Sequence, residues 1–512
     1  MGGWGEHSES SSRDQHQIKH RAKESDDRFQ RLQADNRAFD RRISRVSPAL
    51  SKVWTTSLHF LDAVFRETPR RKRDNALMPW PFGKNGKLEK PGLASPLFFA
   101  GIFLLHLLWI ALCMRPGWGG DEPRYWLMAQ NLLHGGFADA QTRLFWNGPG
   151  YPLTLLPWAA AQAPLWLPRC VNAFWLTLAA FGAWRWFLLL RLPRPRLQVA
   201  LLSLYLMAHG SLGHRLMSEP LAIALVSLIA WALASACHPQ AAASGMGGKS
   251  MAWCGFGLAL GYLAMTKVFY GYVLLLGFGS AWLGYGILPG RRKWIAPALA
   301  MTLALAVCLP YLAYTQAVTG RFPYWGNSGG AQLYGLTLGD ERFRGDWLNS
   351  DAVIADPGFY GEISAFYAAI DTLGFVAQDD SLKAAALRNI RRHPAKVIRN
   401  WRANINRLVL GYPVTDYPGH SPELSTGNRS LIQGLWLYAL VSGCLLFLWR
   451  RRFPPLGLAL PLGFAVVSTF GLTFVSAEPR MVFPLLPIFY GAIAYAWHRG
   501  LCQNIDIPTH AG

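Results

Sequence analysis

Residues 219–237 read EPLAIALVSLIAWALASAC, a run whose only charged residue is the glutamate at its head. That is close to the ~20 apolar residues an α-helix needs to cross the hydrocarbon core of a bilayer. Glu219-Pro220 reads as the start of such a helix, because proline is tolerated in a first turn where its missing N–H is not needed. Working outward from this run, nine more of similar character follow the same reading. Together the ten cover approximately 96–114, 169–190, 197–213, 219–237, 251–266, 268–288, 294–317, 430–449, 455–475 and 481–498. The expected fold is an all-α polytopic membrane protein with about ten transmembrane helices and two outer-face loops bearing interfacial helices.

Composition agrees. Of 512 residues, 52% are apolar and 15% charged, against roughly 25% charged in soluble domains. The formal charge is 50 − 29 = +21, which excludes an acidic scaffold. The basic residues sit in short clusters between apolar runs rather than on one continuous face, so the partner they imply is a bilayer and not a nucleic acid. The seven cysteines are scattered with no CxxC spacing, which makes neither a disulfide framework nor a zinc site.

The short basic clusters set the expected topology. Arg191/Arg194/Arg196, Lys249, Arg291/Arg292/Lys293 and Arg450/Arg451/Arg452 all fall on the cytoplasmic side if the N-terminal tail is cytoplasmic. Segments 115–168 and 318–429 then both face outward. The stretch 150–166 (GYPLTLLPWAAAQAPLW) is apolar but holds Pro152, Pro157 and Pro164, and is read as an interfacial helix. The chain therefore divides into a basic tail (1–95), a seven-span catalytic module (96–317) with a first outer loop (115–168), an outer loop region (318–429), and three C-terminal spans with a short tail (430–512). No apolar segment near Met1 resembles a cleavable signal. Within the tail, Trp54, Leu58, Leu61 and Phe65 recur at helical spacing ahead of Arg70-Arg71-Lys72-Arg73. This fits either an interfacial helix or a solvated tail. Between Ser381 and Thr415 there are eight basic residues and no acid. From Pro394, Val397, Ile398, Trp401, Ile405 and Leu408 share one helical face, which suits a lipid surface.

Ionisable groups at span ends are the most informative feature. Asp121-Glu122-Pro123-Arg124-Tyr125, Ser218-Glu219, Lys267 and Glu478-Pro479-Arg480 all belong to the outer side. Each has an ordinary explanation: Asp121 as a helix cap, Lys267 snorkelling, Glu478 and Arg480 as a local pair. Taken together, carboxylates and fixed cations at one membrane level suit a single chemistry. A positioned carboxylate takes the proton of an attacking hydroxyl, while cations stabilise a departing phosphate.

At these residues the sequence resembles the membrane glycosyltransferases of the GT-C class that use polyprenyl-phosphate sugars, the broad family of the protein O-mannosyltransferases and the lipid A aminoarabinose transferase. GGDEPRYWLMAQNLLHGG from Gly119 is similar to that family's outer-loop acidic motif, and NGPGYPLTLL from Asn147 to its continuation. MSEPLAIAL from Met217, GLALGYLAMTK ending at Lys267, IRRHPAKVIRN around Pro394 and EPRMVFPLLP from Glu478 follow in the family's order. The resemblance runs from about residue 97 to 498. It implies Asp121 as the catalytic acid/base position with Glu122 beside it, and Lys267, Arg480, Arg124 and Tyr125 around the donor phosphate. It implies Glu219 and Glu478 as second acidic positions near the acceptor. Two departures bear on specificity: Gly148-Pro149-Gly150 replaces a Lys or His before a Pro-Pro pair, and Met481 replaces an aromatic residue.

The function implied is transfer of one sugar from a polyprenyl phosphate to an acceptor hydroxyl outside the cytoplasm, with inversion, in a bacterial inner membrane whose periplasmic side carries the site. The acceptor could be lipid, polysaccharide or protein. A divalent cation beside Asp121, Glu122 and Glu219 is conceivable, but no ligand spacing demands one. The competing readings are a flippase or transporter of lipid-linked sugars, for which the expected inverted repeat and mid-span charges are missing, and a non-catalytic glycolipid-binding scaffold.

Overall fold

A computed structural model describes residues 94–114, 117–119, 121–137, 147–209, 213–238, 246–345, 347–410, 454–475 and 479–502. Among these, every regular element is helical. The sequence-predicted span at 430–449, the tail before residue 94 with its Trp54–Phe65 periodicity, the Arg450–Arg452 cluster and Glu478 lie outside the described residues.

Helices α1 (Ala94–Cys113), α4 (Trp166–Leu189), α5 (Pro195–His209), α6 (Glu219–Cys237), α7 (Met246–Thr266), α8 (Phe269–Ile287) and α9 (Arg292–Thr319) correspond to the first seven apolar runs. After the second loop region come α16 (Leu456–Leu472) and α17 (Leu486–Cys502), the latter entered through a 3-10 turn at Pro479–Leu485. Among the described residues, four segments are long and apolar enough to cross a membrane: Ser95–Cys113, Glu219–Cys237, Arg292–Thr319 and Arg480–His498. Large apolar side chains such as Leu104, Leu258, Leu276 and Phe470 are exposed on the bundle's flanks, as expected where the surroundings are lipid. The chain is an integral membrane protein, all-α in its described residues.

The bundle is built around α6, whose surface is mostly buried against α4, α7 and α16. Small residues set how near the helices come. On α7, Gly257 and Gly261 lie one turn apart against α9, and a Cβ at either would sit 2.5 Å from the carbonyl oxygen of Ala300 or Ala304. This is a small-xxx-small seam, and such seams bring backbones together where no hydrophobic force between helices exists. On α4, a Cβ at Gly182 would sit 3.0 Å from the backbone carbonyl carbon of Ser227.

Two short helices, α2 (Glu122–Leu133) and α3 (Gly150–Ala160), occupy the first loop. The 11 residues of α3 extend about 16 Å at ~1.5 Å per residue, roughly half a bilayer core, so this apolar segment does not span.

The second loop region folds as helices α10 (Gly329–Thr337), α11 (Ser350–Ala355), α12 (Pro357–Tyr360), α13 (Glu362–Asp371), α14 (Phe375–Arg392) and α15 (Pro394–Leu410). They enclose a small core of their own around Tyr334, Phe343, Tyr367 and Leu382. Helix α15 has an inverted polarity. Its polar face is the buried one: Asn400 Nδ2 donates to the carbonyls of Leu336 (2.9 Å) and Leu338 (3.1 Å). Asn404 Nδ2 donates to that of Thr473 (3.2 Å), and Arg407 Nη1 donates to Asn404 Oδ1 (2.7 Å). Of the apolar face predicted from sequence, Leu408 is buried, Val397, Trp401 and Ile405 are half-buried and Ile398 is 64% exposed. Trp401 stacks on Phe474 at 5.3 Å, next to the exposed Phe470 of α16. The apolar side of α15 thus continues the outer flank of a bundle helix.

Candidate active site

The acidic motif begins with a latch. Glu122, at the first position of α2, is fully buried, and so is Arg169 in the first turn of α4. Arg169 Nε donates to Glu122 Oε1 (2.8 Å) and Nη2 to Oε2 (2.7 Å), the forked pairing that suits guanidinium to carboxylate. The remaining acceptor capacity is taken by two backbone donors: Gly119 N to Oε2 (2.8 Å) and Leu216 N to Oε1 (2.7 Å). Asn172, one turn further along α4, donates to the carbonyls of Gly213 (3.0 Å) and Arg215 (2.6 Å). The latch thus ties the 117–122 stretch to the loop preceding α6. Sequence reading placed Glu122 beside Asp121 in the reacting shell. In the structure its oxygens face Arg169 and two amides.

Asp121 is the residue immediately before α2, yet its side chain makes no capping hydrogen bond. Its carboxylate is partly exposed and lies between two arginines, 3.3 Å from Arg480 Nη1 and 3.5 Å from Arg124 Nη1. Helix capping, the ordinary explanation for an aspartate here, therefore does not account for the side chain's position. Arg480 arrives from the 3-10 turn before α17, 359 residues away in sequence.

Tyr125 joins this pair to the second acidic position. Its phenol is buried, touches Tyr151 edge-on at 5.0 Å and shares a 2.9 Å hydrogen bond with Ser218 Oγ. Burial pushes the Tyr125 hydroxyl far above its ordinary range. The negative charges of Glu219 and Asp121 push the same way, opposed by Ser218 and Arg480. Tyr125 is a neutral strut at which both acids and Arg480 are felt. Sequence reading put it at the donor phosphate; its hydroxyl is bonded to Ser218.

Next along the chain, Glu219 is buried and receives Lys267 Nζ on Oε1 at 2.7 Å. Its second oxygen, Oε2, is buried and accepts no hydrogen bond. Lys267 is held where α7 ends, and the GPG segment packs on that end. A Cβ on Gly148 would fall 1.8 Å from the Met265 carbonyl oxygen, and one on Gly150 would fall 2.5 Å from Thr266 Oγ1. Tyr262 Oη also donates to the Gly150 carbonyl at 2.8 Å. The departure from the Lys/His-Pro-Pro pattern has a steric reason: this backbone has no room for a side chain at 148.

The structure therefore brings Asp121, Arg124, Tyr125, Glu219, Lys267 and Arg480 to one end of the bundle. At the other end, Arg196 Nη2 donates to Ser95 Oγ (3.0 Å) where α1 begins. Among the described residues no group of three His, Cys, Asp or Glu side chains could hold a metal ion. Sequence reasoning missed Arg169 and Asn172, and named Ser218 only as the neighbour of Glu219. A signal for the first was available, since an arginine in an apolar run needs a buried counter-charge.

No protein-family model and no curated sequence matches the chain. Among solved structures, it is similar to ArnT from Cupriavidus metallidurans bound to undecaprenyl phosphate, at 14% identity and a TM-score of 0.36, covering 81% of this chain and 79% of that one. It is also similar to the archaeal oligosaccharyltransferase AglB from Archaeoglobus fulgidus, in complex with an inhibitory peptide and a dolichol-phosphate. There the identity is 12% and the TM-score 0.43, covering 82% of this chain and 53% of that one.

Proposed function

We propose that the chain is a glycosyltransferase that moves a single sugar from a polyprenyl phosphate to an acceptor hydroxyl. The observation that carries this reading is the Asp121 carboxylate, spent on no cap and bracketed by Arg480 and Arg124, beside the Lys267–Glu219 pair. The ordered motifs shared with GT-C enzymes support it from the sequence side.

In this reading the acceptor oxygen attacks the anomeric carbon as the bond from that carbon to the phosphate oxygen breaks. The phosphate leaves with the electron pair, and the hydroxyl proton passes to Asp121. One displacement inverts the anomeric centre. Lys267, Arg480 and Arg124 offset the charge developing on the leaving phosphate. A donor phosphate competes with Asp121 for Arg480, so binding the donor releases the carboxylate for its work as base. Glu122 is a positioning residue, since Arg169 and two amides occupy it. Glu219 orients Lys267 through Oε1, and its buried Oε2 keeps an unused acceptor beside the site. Ten spans, a cytoplasmic N-terminus and a periplasmic site in a bacterial inner membrane complete the proposal. Glu478 remains in it as a second acidic position.

The test is mass spectrometry of polyprenyl-phosphate sugars and envelope glycans from cells lacking the gene. One lipid-linked sugar should accumulate while one glycan unit disappears. Wild type should reverse both, and Asp121→Asn neither, because loss of a general base typically costs about 10²–10⁴ in rate. Full complementation by Asp121→Asn would sink the assignment.

A further inference from the structure

Beyond α9 the chain folds back across the first turn of α8. The Trp325 indole lies on Gly271, where a Cβ would come within 2.3 Å of the ring. Tyr311 Oη fixes the same loop by donating to the Trp325 carbonyl at 2.7 Å. Between this loop, α8 and α14 opens a cavity of about 420 Å³, lined by Tyr272, Arg321, Phe322, Tyr324, Trp325 and Lys383 among others. This falls within the roughly 300–1,000 Å³ of small-molecule sites. It opens at the end of α8 that follows Lys267 by two residues.

Its chemistry is specific. Arg321 forms a fork on Asp380, with Nη1 to Oδ1 at 2.6 Å and Nη2 on the other oxygen. Lys383 is paired with Asp379, which also accepts from Gly330 N at 2.6 Å. Both cations are thus balanced by acids at consecutive positions of α14 that stand outside the lining itself, so the cavity presents side-chain donors whose charge is already compensated. Two aromatic rings stand at its rim, Phe322 61% and Tyr272 55% exposed. An anion would need unbalanced cations, and an acyl chain would need an apolar lining. A polyhydroxylated, uncharged ligand fits both features: hydroxyls exchange bonds with the ion-pair forks, and sugar C–H faces pack on the aromatic rings.

We infer that this cavity is a carbohydrate subsite, holding a glycan acceptor with its reacting hydroxyl presented toward Lys267 and Asp121. The inference rests on the glycosyltransferase reading and narrows its acceptor from lipid, polysaccharide or protein to a glycan chain.

The full-length protein in lipid nanodiscs is examined by saturation-transfer NMR with an equimolar set of methyl glycosides of glucose, galactose, mannose and N-acetylglucosamine. Undecaprenyl phosphate binding is followed separately by native mass spectrometry. Wild type should transfer saturation to at least one glycoside. Phe322→Ala and Arg321→Ala should each reduce that signal by about two- to tenfold, the scale of a lost aromatic or charge-assisted contact, with undecaprenyl phosphate binding unchanged. Phe322 is exposed, so its variant reads the cavity even if Arg321→Ala unfolds. No glycoside signal with wild type, an unchanged signal in Phe322→Ala, or displacement of the glycoside by inorganic phosphate would each overturn the inference. Failure of wild type to bind undecaprenyl phosphate would instead count against the glycosyltransferase reading.

Discussion

Replacing Glu122 with glutamine changes one atom and should damage the protein more than any change at Asp121. Glu122 and Arg169 are fully buried, and four donors converge on the two carboxylate oxygens at 2.7–2.8 Å. An amide offers one acceptor. If its oxygen keeps the place of Oε1, its NH₂ confronts Arg169 Nη2 and Gly119 N, donor against donor. Removing one member of a buried pair costs about 3–5 kcal/mol, because the other charge stays desolvated. That is a large share of the ~5–15 kcal/mol that holds a typical domain together. Arg169→Met should cost a similar amount. The double variant Glu122→Leu/Arg169→Met should lose less than the sum of the two, since an apolar pair of similar volume is often neutral. It will not return to wild type, as the amides of Gly119 and Leu216 stay unpaired at about 1–3 kcal/mol each. Thermal unfolding in detergent can be followed through labelling of Cys308, which is buried and becomes reactive on opening. A Glu122→Gln protein that melts with wild type and loses only turnover would refute this reasoning and make Glu122 a reacting group.

Lys267→Ala should weaken use of the lipid donor and also lower stability, because it leaves Glu219 as a buried, unpaired carboxylate. Adding Glu219→Gln should restore the melting temperature without restoring donor use, which a combined melting and donor-binding series would read. Gly261→Leu should destabilise by about 1–3 kcal/mol, the usual cost of overpacking, since its Cβ would lie 2.5 Å from the Ala304 carbonyl oxygen. A Gly261→Leu protein with an unchanged melting temperature would mean that the α7–α9 seam has slack. The Arg321 hydrogen bond holds the Asp380 carboxyl below its ordinary range. Its stabilisation is therefore present above the unfolded value near ~3.9 and lost as pH falls through the lower folded value. Protection factors of the α14 amides, exchange corrected for its intrinsic pH dependence, should fall in that window, and less so in high salt, where the exposed pair is already screened. Asp379 shifts upward through burial, so comparison in an Asp379→Asn background isolates the Asp380 contribution. Protection factors independent of pH there would show that the pair contributes nothing.

Much of this molecule is legible in its amino-acid order. Runs such as 219–237 become helices because hydropathy is a local sum that any twenty-residue window carries, and the bilayer reads that sum directly. The prolines of 150–166 foretold a short helix in the same way. The collection of Asp121, Glu219, Lys267 and Arg480 at one level followed from alternation of spans, without any knowledge of which helix touches which. Pair identity did not follow. Glu122 and Asp121 are adjacent and chemically alike, yet one is sealed against Arg169 and the other stands between two arginines. The choice depends on the direction each side chain takes at the first turn of α2, and on α4 delivering Arg169 from 47 residues away. The polarity of α15 is similar: its periodicity marks two faces, but the carbonyls of Leu336 and Thr473 that draw Asn400 and Asn404 inward exist only once α10 and α16 are in place. Close approach behaves likewise, since the glycine at 148 acquires its reason from the Met265 carbonyl. Segments follow from local composition, whereas buried partners and contact distances depend on surfaces that meet only after the segments have packed.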